Sequence, residues 1–148
     1  MCGSGSNRSS GDPYNLERFV VAQGSIFQRV LSELRAGAKM GHWMWFIFPQ
    51  IRGLGRSPTA IEYAISCRDE AQAYLQPPLL GPRLKECTQL VLDVDGRSAT
   101  DVFGMPDDIK FRSSITLFAQ VSGDDDIFHR ALQKYFDGVP DRMTLDRL

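Results

Sequence analysis

The sequence predicts a single all-α domain of about six to eight helices over residues 12–148, preceded by a disordered tail at residues 1–11. Three observations carry this prediction. Apolar residues recur at helical spacing along most of the chain, short connections rich in Gly and Pro separate the periodic segments, and alternating strand patterns are nearly absent. The length of 148 residues suits one compact domain. The tail is rich in Gly and Ser and nearly free of large apolar residues.

The first periodic segment predicts one helix, which begins at Asp12-Pro13 and bends near Gly24-Ser25. Asp is a favoured N-cap residue, and Pro is tolerated at the first helical position. Gly37 is expected to end the helix, because glycine is preferred just beyond the last turn. The apolar face consists of Leu16, Phe19, Val20, Ile26, Phe27, Val30, Leu31 and Leu34.

The aromatic segment at residues 42–50 is the most apolar part of the chain and contains both tryptophans. Periodicity does not distinguish a buried helix from a strand here. On a helix, Trp43 and Trp45 point to different faces, so one is expected in the core and the other can face a cleft; on a strand they share a face. Pro49 ends the segment, and the glycines within residues 51–57 predict a loop. That loop lacks the Gly-Lys-Ser/Thr ending of a phosphate loop.

The second half of the chain continues the helical pattern. Ser57-Pro58 predicts a capped helix with Ile61, Ala64 and Ile65 on its apolar face, which continues or restarts at Arg68. The later helices are predicted from Leu80 to Asp95-Gly96, from Ser98 to Gly104, from Pro106 to Phe118, from Asp124–Asp126 to Gly138, and over a last turn at Met143–Leu148.

Charge and composition exclude several classes of protein. The formal net charge is -1, which argues against a strongly basic nucleic-acid binder. No apolar run is long enough to span a bilayer, and the N-terminus lacks the pattern of a signal peptide, so we expect a cytoplasmic protein with no membrane partner. No Cys/His spacing suggests a metal site, and no motif suggests a cofactor.

Several motifs together resemble one family. They include His42–Gln50, Gly53-Leu54-Gly55, Glu70-Ala71 with Tyr74-Leu75, Gly81–Leu84, Phe103-Gly104, Asp108 with Lys110, Ser113–Phe118 and Phe136–Leu145. Over roughly residues 12–148 these motifs are similar to the domain-of-unknown-function 1810 family. The resemblance implies a small, mainly helical domain, and it implies no settled activity.

Some bacterial members of that family carry the label calpastatin. Inhibitors of the calpastatin type are disordered segments that fold on binding. The periodic apolar residues of this chain predict instead that it builds its own core.

Polar residues border the aromatic segment on both sides and form the first group of candidate ligand-binding residues. Lys39 and His42 precede the segment, and Gln50 and Arg52 follow it. Arginines near glycine-rich backbone can hold a phosphate or carboxylate, and Trp43 or Trp45 can stack on a ring. Alternatively, His42 caps the segment, the tryptophans belong to the core, and the loop charges are solvated.

The predicted helix from Pro106 carries the second group. Asp108 is spaced to pair with Arg112, while Lys110, Ser113 and Ser114 offer hydrogen-bond donors if their face lines a cleft. Serines inside an apolar helix are unusual, since hydroxyls compete with the helix backbone. Close helix packing through small residues is the alternative explanation.

We therefore predict a site where residues 39–56 meet the helix carrying Lys110. Aromatic rings, cations and hydroxyls together favour a nucleotide-like or other small anionic metabolite. The weak catalytic candidates are His42, Lys110 and Ser113, without an identifiable reaction. Two other interpretations remain: a protein-interaction module that exposes the aromatic 42–50 segment, and a purely structural role for that segment.

Overall fold

A computed structural model describes residues 12–76, 78–123 and 127–148. The predicted tail at residues 1–11, Pro77 and the predicted helix opening at Asp124–Asp126 lie outside the described residues. The helices of the described part are α1 (Glu17–Gly24), α2 (Phe27–Arg35), α3 (Met44–Ile47), α4 (Pro58–Glu62), α5 (Arg68–Leu75), α6 (Leu80–Leu92), α7 (Ala99–Phe103), α8 (Asp107–Ala119), α9 (Ile127–Phe136) and α10 (Arg142–Asp146).

The predicted all-α class is confirmed. Within the described ranges, six helices have eight or more residues and four are short, which brackets the expected six to eight. None of these helices combines the length and the apolar character that crossing a membrane requires.

Local capping explains several of the boundaries that the sequence predicts. The Ser57 hydroxyl accepts a hydrogen bond from the Ala60 amide at 3.1 Å, which starts α4. Ser98 and Asp101 form a reciprocal capping box at the start of α7. Gly104 ends α7 with a φ of 75°, a conformation that favours glycine.

The first helical segment differs from the prediction. It forms two helices, α1 and α2, with the break at the predicted bend. Helix α1 begins at Glu17 rather than at Asp12-Pro13, although Asp12 still serves that end of the helix. Its carboxylate accepts hydrogen bonds from the Leu16 and Glu17 amides at 2.6 and 3.0 Å.

The predicted apolar face of Ile61, Ala64 and Ile65 is partly wrong. Ile65 does not continue α4; it forms an isolated parallel bridge with Ile51, which ties the loop after the aromatic segment to the start of α5. Ile61, predicted on the same apolar face, is 65% exposed. Periodicity alone cannot show that a short helix lacks a neighbour on its apolar side.

The aromatic segment folds as a helical turn, α3, which separates its two tryptophans. Trp43 is buried, whereas Trp45 is half-buried. The Phe48 ring packs edge-on against Phe111 at a centroid distance of 5.0 Å, and Phe111 stacks on Phe103 at 4.6 Å. The segment therefore anchors one side of the core and turns a single indole towards its edge.

Helix α8 lies at the centre of the domain and packs against α3, α5, α7, α9 and α10. Its C-terminal half is buried on all sides, so polar side chains there must pack closely. Its N-terminal half reaches the surface beside the aromatic segment. This end of α8 carries the candidate site.

Candidate functional site

A cleft of about 230 Å³ lies between the loop that follows α3, the first half of α8 and the start of α10. Its polar lining comes from Gln50, Lys110, Ser113 and Asp141. Its apolar lining includes Leu54, Ile109 and Met143. Three segments that are distant in sequence therefore converge on one concavity.

Lys110 is the cation of this cleft. Its ammonium lies 3.5 Å from the Asp107 carboxylate and 5.2 Å from the centre of the Trp45 ring. The Trp45 ring face attracts the ammonium through its negative quadrupole and holds the side chain in place. Trp45 and Gln50 also line a small gap that borders the cleft.

Lys39 competes with Lys110 for the same carboxylate. The Lys39 ammonium lies 2.8 Å from Asp107 Oδ2 and donates to the Gly41 carbonyl at 2.6 Å. Its side chain is only 8% exposed and lies over the Trp43 ring at 5.2 Å. Lys39 is closer to Asp107 and better buried, so it forms the stronger ion pair with this carboxylate. Lys110 forms the weaker one.

Glu33 holds the Trp43 ring, over which the Lys39 ammonium lies. Its carboxylate Oε1 accepts hydrogen bonds from the Met40 and Gly41 amides at 2.7 and 2.9 Å and from the Trp43 indole N–H at 2.8 Å. Desolvation by burial acts to raise the pKa of Glu33, but these three donors and the charge of Lys39 outweigh it and lower the pKa below its usual value. Glu33 therefore holds the Trp43 indole and the turn before α3 as a carboxylate.

Asp141 is the carboxylate of the cleft and also the N-cap of α10. Its Oδ2 accepts hydrogen bonds from the Thr144 amide at 3.0 Å, the Thr144 hydroxyl at 2.5 Å and the Ser113 hydroxyl at 3.2 Å. The Asp141 amide in turn donates to the Thr116 hydroxyl at 2.9 Å. These contacts fix the carboxylate rigidly, and no donor from the described residues reaches its other oxygen, Oδ1.

The structure brings together only part of the predicted site. Gln50, Lys110 and Ser113 line the cleft, and Trp45 contacts it through Lys110. Trp43 and Lys39 lie behind it, in the support of Asp107. Of the weak catalytic candidates, Lys110 and Ser113 share the cleft, while His42 is exposed and does not line it.

Three further predicted residues point elsewhere. Arg52 lines a different cleft on the opposite side of its loop. Asp108 accepts a hydrogen bond from the Thr100 hydroxyl at 2.6 Å, and its expected partner Arg112 donates to the Val139 carbonyl at 3.0 Å instead. Ser114 is fully buried, and its hydroxyl has no partner among the described residues, which fits close helix packing.

The sequence reasoning missed Glu33, Asp107 and Asp141 as residues of the site and its support. An acidic residue at position 107 suits the positive end of the helix dipole, so the start of a helix accounts for Asp107 without a site. The Asp141-x-x-Thr144 spacing is an N-cap signal that was available in the sequence. The contact between Lys39 and Asp107 is tertiary, so no local pattern could reveal it.

Comparisons with known proteins agree with the fold and bring no activity. The model of a family described as "Protein of unknown function (DUF1810)" matches residues 13–148. The crystal structure of a conserved hypothetical protein from Mycobacterium tuberculosis is similar, with a TM-score of 0.91 and 56% sequence identity over 93% of this chain and 98% of the other. No curated protein matches the chain. The chain therefore belongs to the DUF1810 family of proteins of unknown function.

Proposed function

We propose that the cleft at Lys110 binds a small metabolite that carries an anionic group and, close to it, a hydroxyl or amino group. A nucleoside monophosphate has this combination of groups. The phosphate would meet Lys110, the sugar hydroxyls would donate to Asp141, and the base would lie on the apolar lining.

The observation that carries this proposal is the sharing of Asp107 between two lysines. One carboxylate cannot neutralise two ammonium groups, and Lys39 is the closer partner. Lys110 is therefore left with an incompletely balanced charge at the edge of a cleft. A ligand anion at Lys110 would complete that balance through a charge-assisted contact.

Asp141 supports the second half of the proposal. A bare phosphate would be repelled by this carboxylate, whereas a ligand with a neighbouring donor gains a hydrogen bond to Oδ1. Because Thr144 and Ser113 hold Oδ2, the carboxylate is preorganised for such a donor. The cleft therefore favours a ligand that carries both kinds of group over a simple anion.

The apolar lining and the size of the cleft limit the ligand further. Leu54, Ile109 and Met143 offer a surface on which a flat ring can lie. Ligand pockets usually measure about 300–1,000 Å³, and the cleft at about 230 Å³ is smaller than that. A mononucleotide or a smaller metabolite is favoured over a dinucleotide.

Calorimetric titration with adenosine monophosphate, ribose and inorganic phosphate tests the proposal. We expect saturable binding of the nucleotide and roughly 10- to 100-fold weaker binding after Lys110→Met, since a hydrogen bond to a charged group contributes about 1.5–3 kcal/mol. Lys85→Met is the matched control, because Lys85 is an exposed lysine on α6, away from the cleft. Equal affinities for the two variants, or no nucleotide binding by the wild type, would reject the proposal.

The interaction-module interpretation has weaker support. Most of the aromatic segment is buried, including Trp43, Met44, Ile47 and Phe48. The exposed apolar side chains at the site are instead Ile109 and Met143, which line the cleft. They enlarge the apolar surface that a ligand would cover, so they support the small-molecule proposal equally well.

A further inference from the structure

A second cleft of about 340 Å³ lies on the other side of the loop that follows α3. None of the residues that line it lines the Lys110 cleft. Three arginines contribute to its wall: Arg52 from the loop, Arg68 from the start of α5 and Arg147 from the end of α10. Nothing in the Lys110 site uses these side chains.

Hydrogen bonds to backbone groups fix the positions of two of these arginines. The Arg52 amide donates to the Ile65 carbonyl at 2.8 Å, and the Ile65 amide donates to the Gln50 carbonyl at 2.8 Å. This parallel bridge places Arg52 beside the residues that lead into α5. Arg68 opens α5 and donates to the Gln120 carbonyl at 3.1 Å, which ties its side chain to the end of α8.

Gly53 makes room for the third arginine. Its φ of 101° is a conformation that favours glycine, and a Cβ built there would lie 2.7 Å from Arg147 Cζ. The Arg147 guanidinium therefore lies against bare loop backbone, next to the residue that precedes Gly53 in the chain, Arg52. A side chain at position 53 would push it away.

The charge of this cleft is unbalanced. The lining residues contribute three guanidinium groups, against the Asp69 carboxylate and the terminal carboxylate of Leu148, so the positive charge is in excess by one. The N-terminal end of α5, which carries a partial positive charge, opens at the same place. Guanidinium groups match the oxygens of phosphate in a fork geometry, and several together suit a dianion better than a monoanion.

We propose that this cleft is a second ligand site, specific for a phosphate monoester dianion held by Arg52, Arg68 and Arg147. It is separate from the Lys110 cleft, because the two share no lining residue. The phosphate would lie between the guanidinium groups, above the Gly53 backbone. The rest of the ligand would extend into solvent, since all three arginines are exposed.

Phosphate titration of the Lys110→Met protein tests this site separately, with calorimetry or amide chemical shifts as the readout and glycerol phosphate and acetate as further probes. We expect saturable binding of phosphate and glycerol phosphate, weaker binding of acetate, and roughly tenfold weaker phosphate binding after Arg147→Gln. Arg130→Gln, an exposed arginine on α9, is the matched control and should leave the affinity unchanged.

The Gly53→Ala variant tests the position of the Arg147 guanidinium without changing the net charge of the cleft. It keeps every arginine but displaces the end of the Arg147 side chain, so we expect it to weaken phosphate binding, though less than Arg147→Gln does, in a protein that remains folded by circular dichroism. If Gly53→Ala unfolds the chain, Arg52→Gln serves as the second variant, with the same expected loss. Unsaturable binding to the Lys110→Met protein, or equal affinities for the Arg147→Gln and Arg130→Gln variants, would overturn the second site. Because adenosine monophosphate is itself a phosphate monoester, nucleotide binding at Lys110 is measured in the Arg147→Gln protein, so neither result bears on it.

Discussion

The Lys39 ammonium lies 2.8 Å from Asp107 Oδ2, closer than Lys110 lies to the same carboxylate, although Lys110 is a neighbour of Asp107 on α8. Lys39, which precedes the aromatic segment, thus neutralises the Asp107 carboxylate at the start of α8, much later in the chain. This ion pair links the core anchored by Trp43 to the charge of the cleft. It makes Lys39 a positioning residue, which acts on a ligand only through Asp107 and Lys110.

Replacing Lys39 with methionine should weaken nucleotide binding without removing any atom of the cleft. Asp107 would then pair with Lys110 alone and draw its charge away from the ligand. We expect several-fold weaker affinity and a loss of about 2 kcal/mol of folding free energy, less than the usual 3–5 kcal/mol for a broken buried pair because Lys110 still faces Asp107. Calorimetry and urea unfolding measure the two effects, and an unchanged affinity would contradict the positioning role.

The stability of the protein should depend on Glu33 in acid. Its lowered pKa means that the folded state favours the carboxylate, so this stability is present above the usual value of 4.5 and is lost as the pH falls through the folded-state pKa. In Glu33→Gln, the free energy of unfolding should fall less steeply below pH 4.5 than in the wild type. Urea unfolding at a series of pH values measures the slopes, and parallel curves would refute the assignment.

The two tryptophans should contribute very differently to stability. Trp43 is 2% exposed and its N–H donates to Glu33, so Trp43→Ala leaves a cavity and removes one of the three donors to the Glu33 carboxylate. We expect a loss of about 3–5 kcal/mol. Trp45 is half-buried, and Trp45→Ala should cost about 1–2 kcal/mol, mainly through lost apolar contact and the lost contact with Lys110. Equal losses in urea unfolding would contradict the division of the segment into core and cleft.

Asp141→Asn should change the affinities for phosphate and for a nucleotide in opposite directions. Asparagine keeps the cap of α10, so the fold should be preserved. Removal of the negative charge should strengthen binding of inorganic phosphate at Lys110 and weaken binding of adenosine monophosphate by several-fold. Calorimetry of the Arg147→Gln protein, with and without Asp141→Asn, isolates this cleft. A parallel change for both ligands would show that Asp141 does not contact a donor of the ligand.

The sequence predicted the helices more completely than it predicted the site. Helix α6 was recognised because Leu80, Leu84, Cys87 and Val91 recur at helical spacing and are all buried. Ile65 was misassigned because a short apolar sequence does not reveal that its backbone pairs with Ile51. Local spacing predicts which face of a helix is apolar, but only the packing of other elements decides which face is covered.

The site residues also divide into those that local sequence reveals and those that only tertiary packing places. Gln50, Lys110 and Ser113 were found because polar groups stood out beside aromatic or apolar surroundings. Gln50 and Arg52 are close in sequence, yet they line different clefts, and no local pattern predicts this, because residues two apart in an extended segment share a face.

The indole N–H signals of the two tryptophans test the central claim most directly. Trp43 is locked behind the site by Glu33, whereas Trp45 lies under the Lys110 ammonium. Titration with adenosine monophosphate, followed by proton–nitrogen correlation spectra, should shift the Trp45 signal progressively to saturation and leave the Trp43 signal nearly in place. Lys110→Met should abolish the shift. Movement of both signals together, or of neither, would contradict a ligand site built on Lys110.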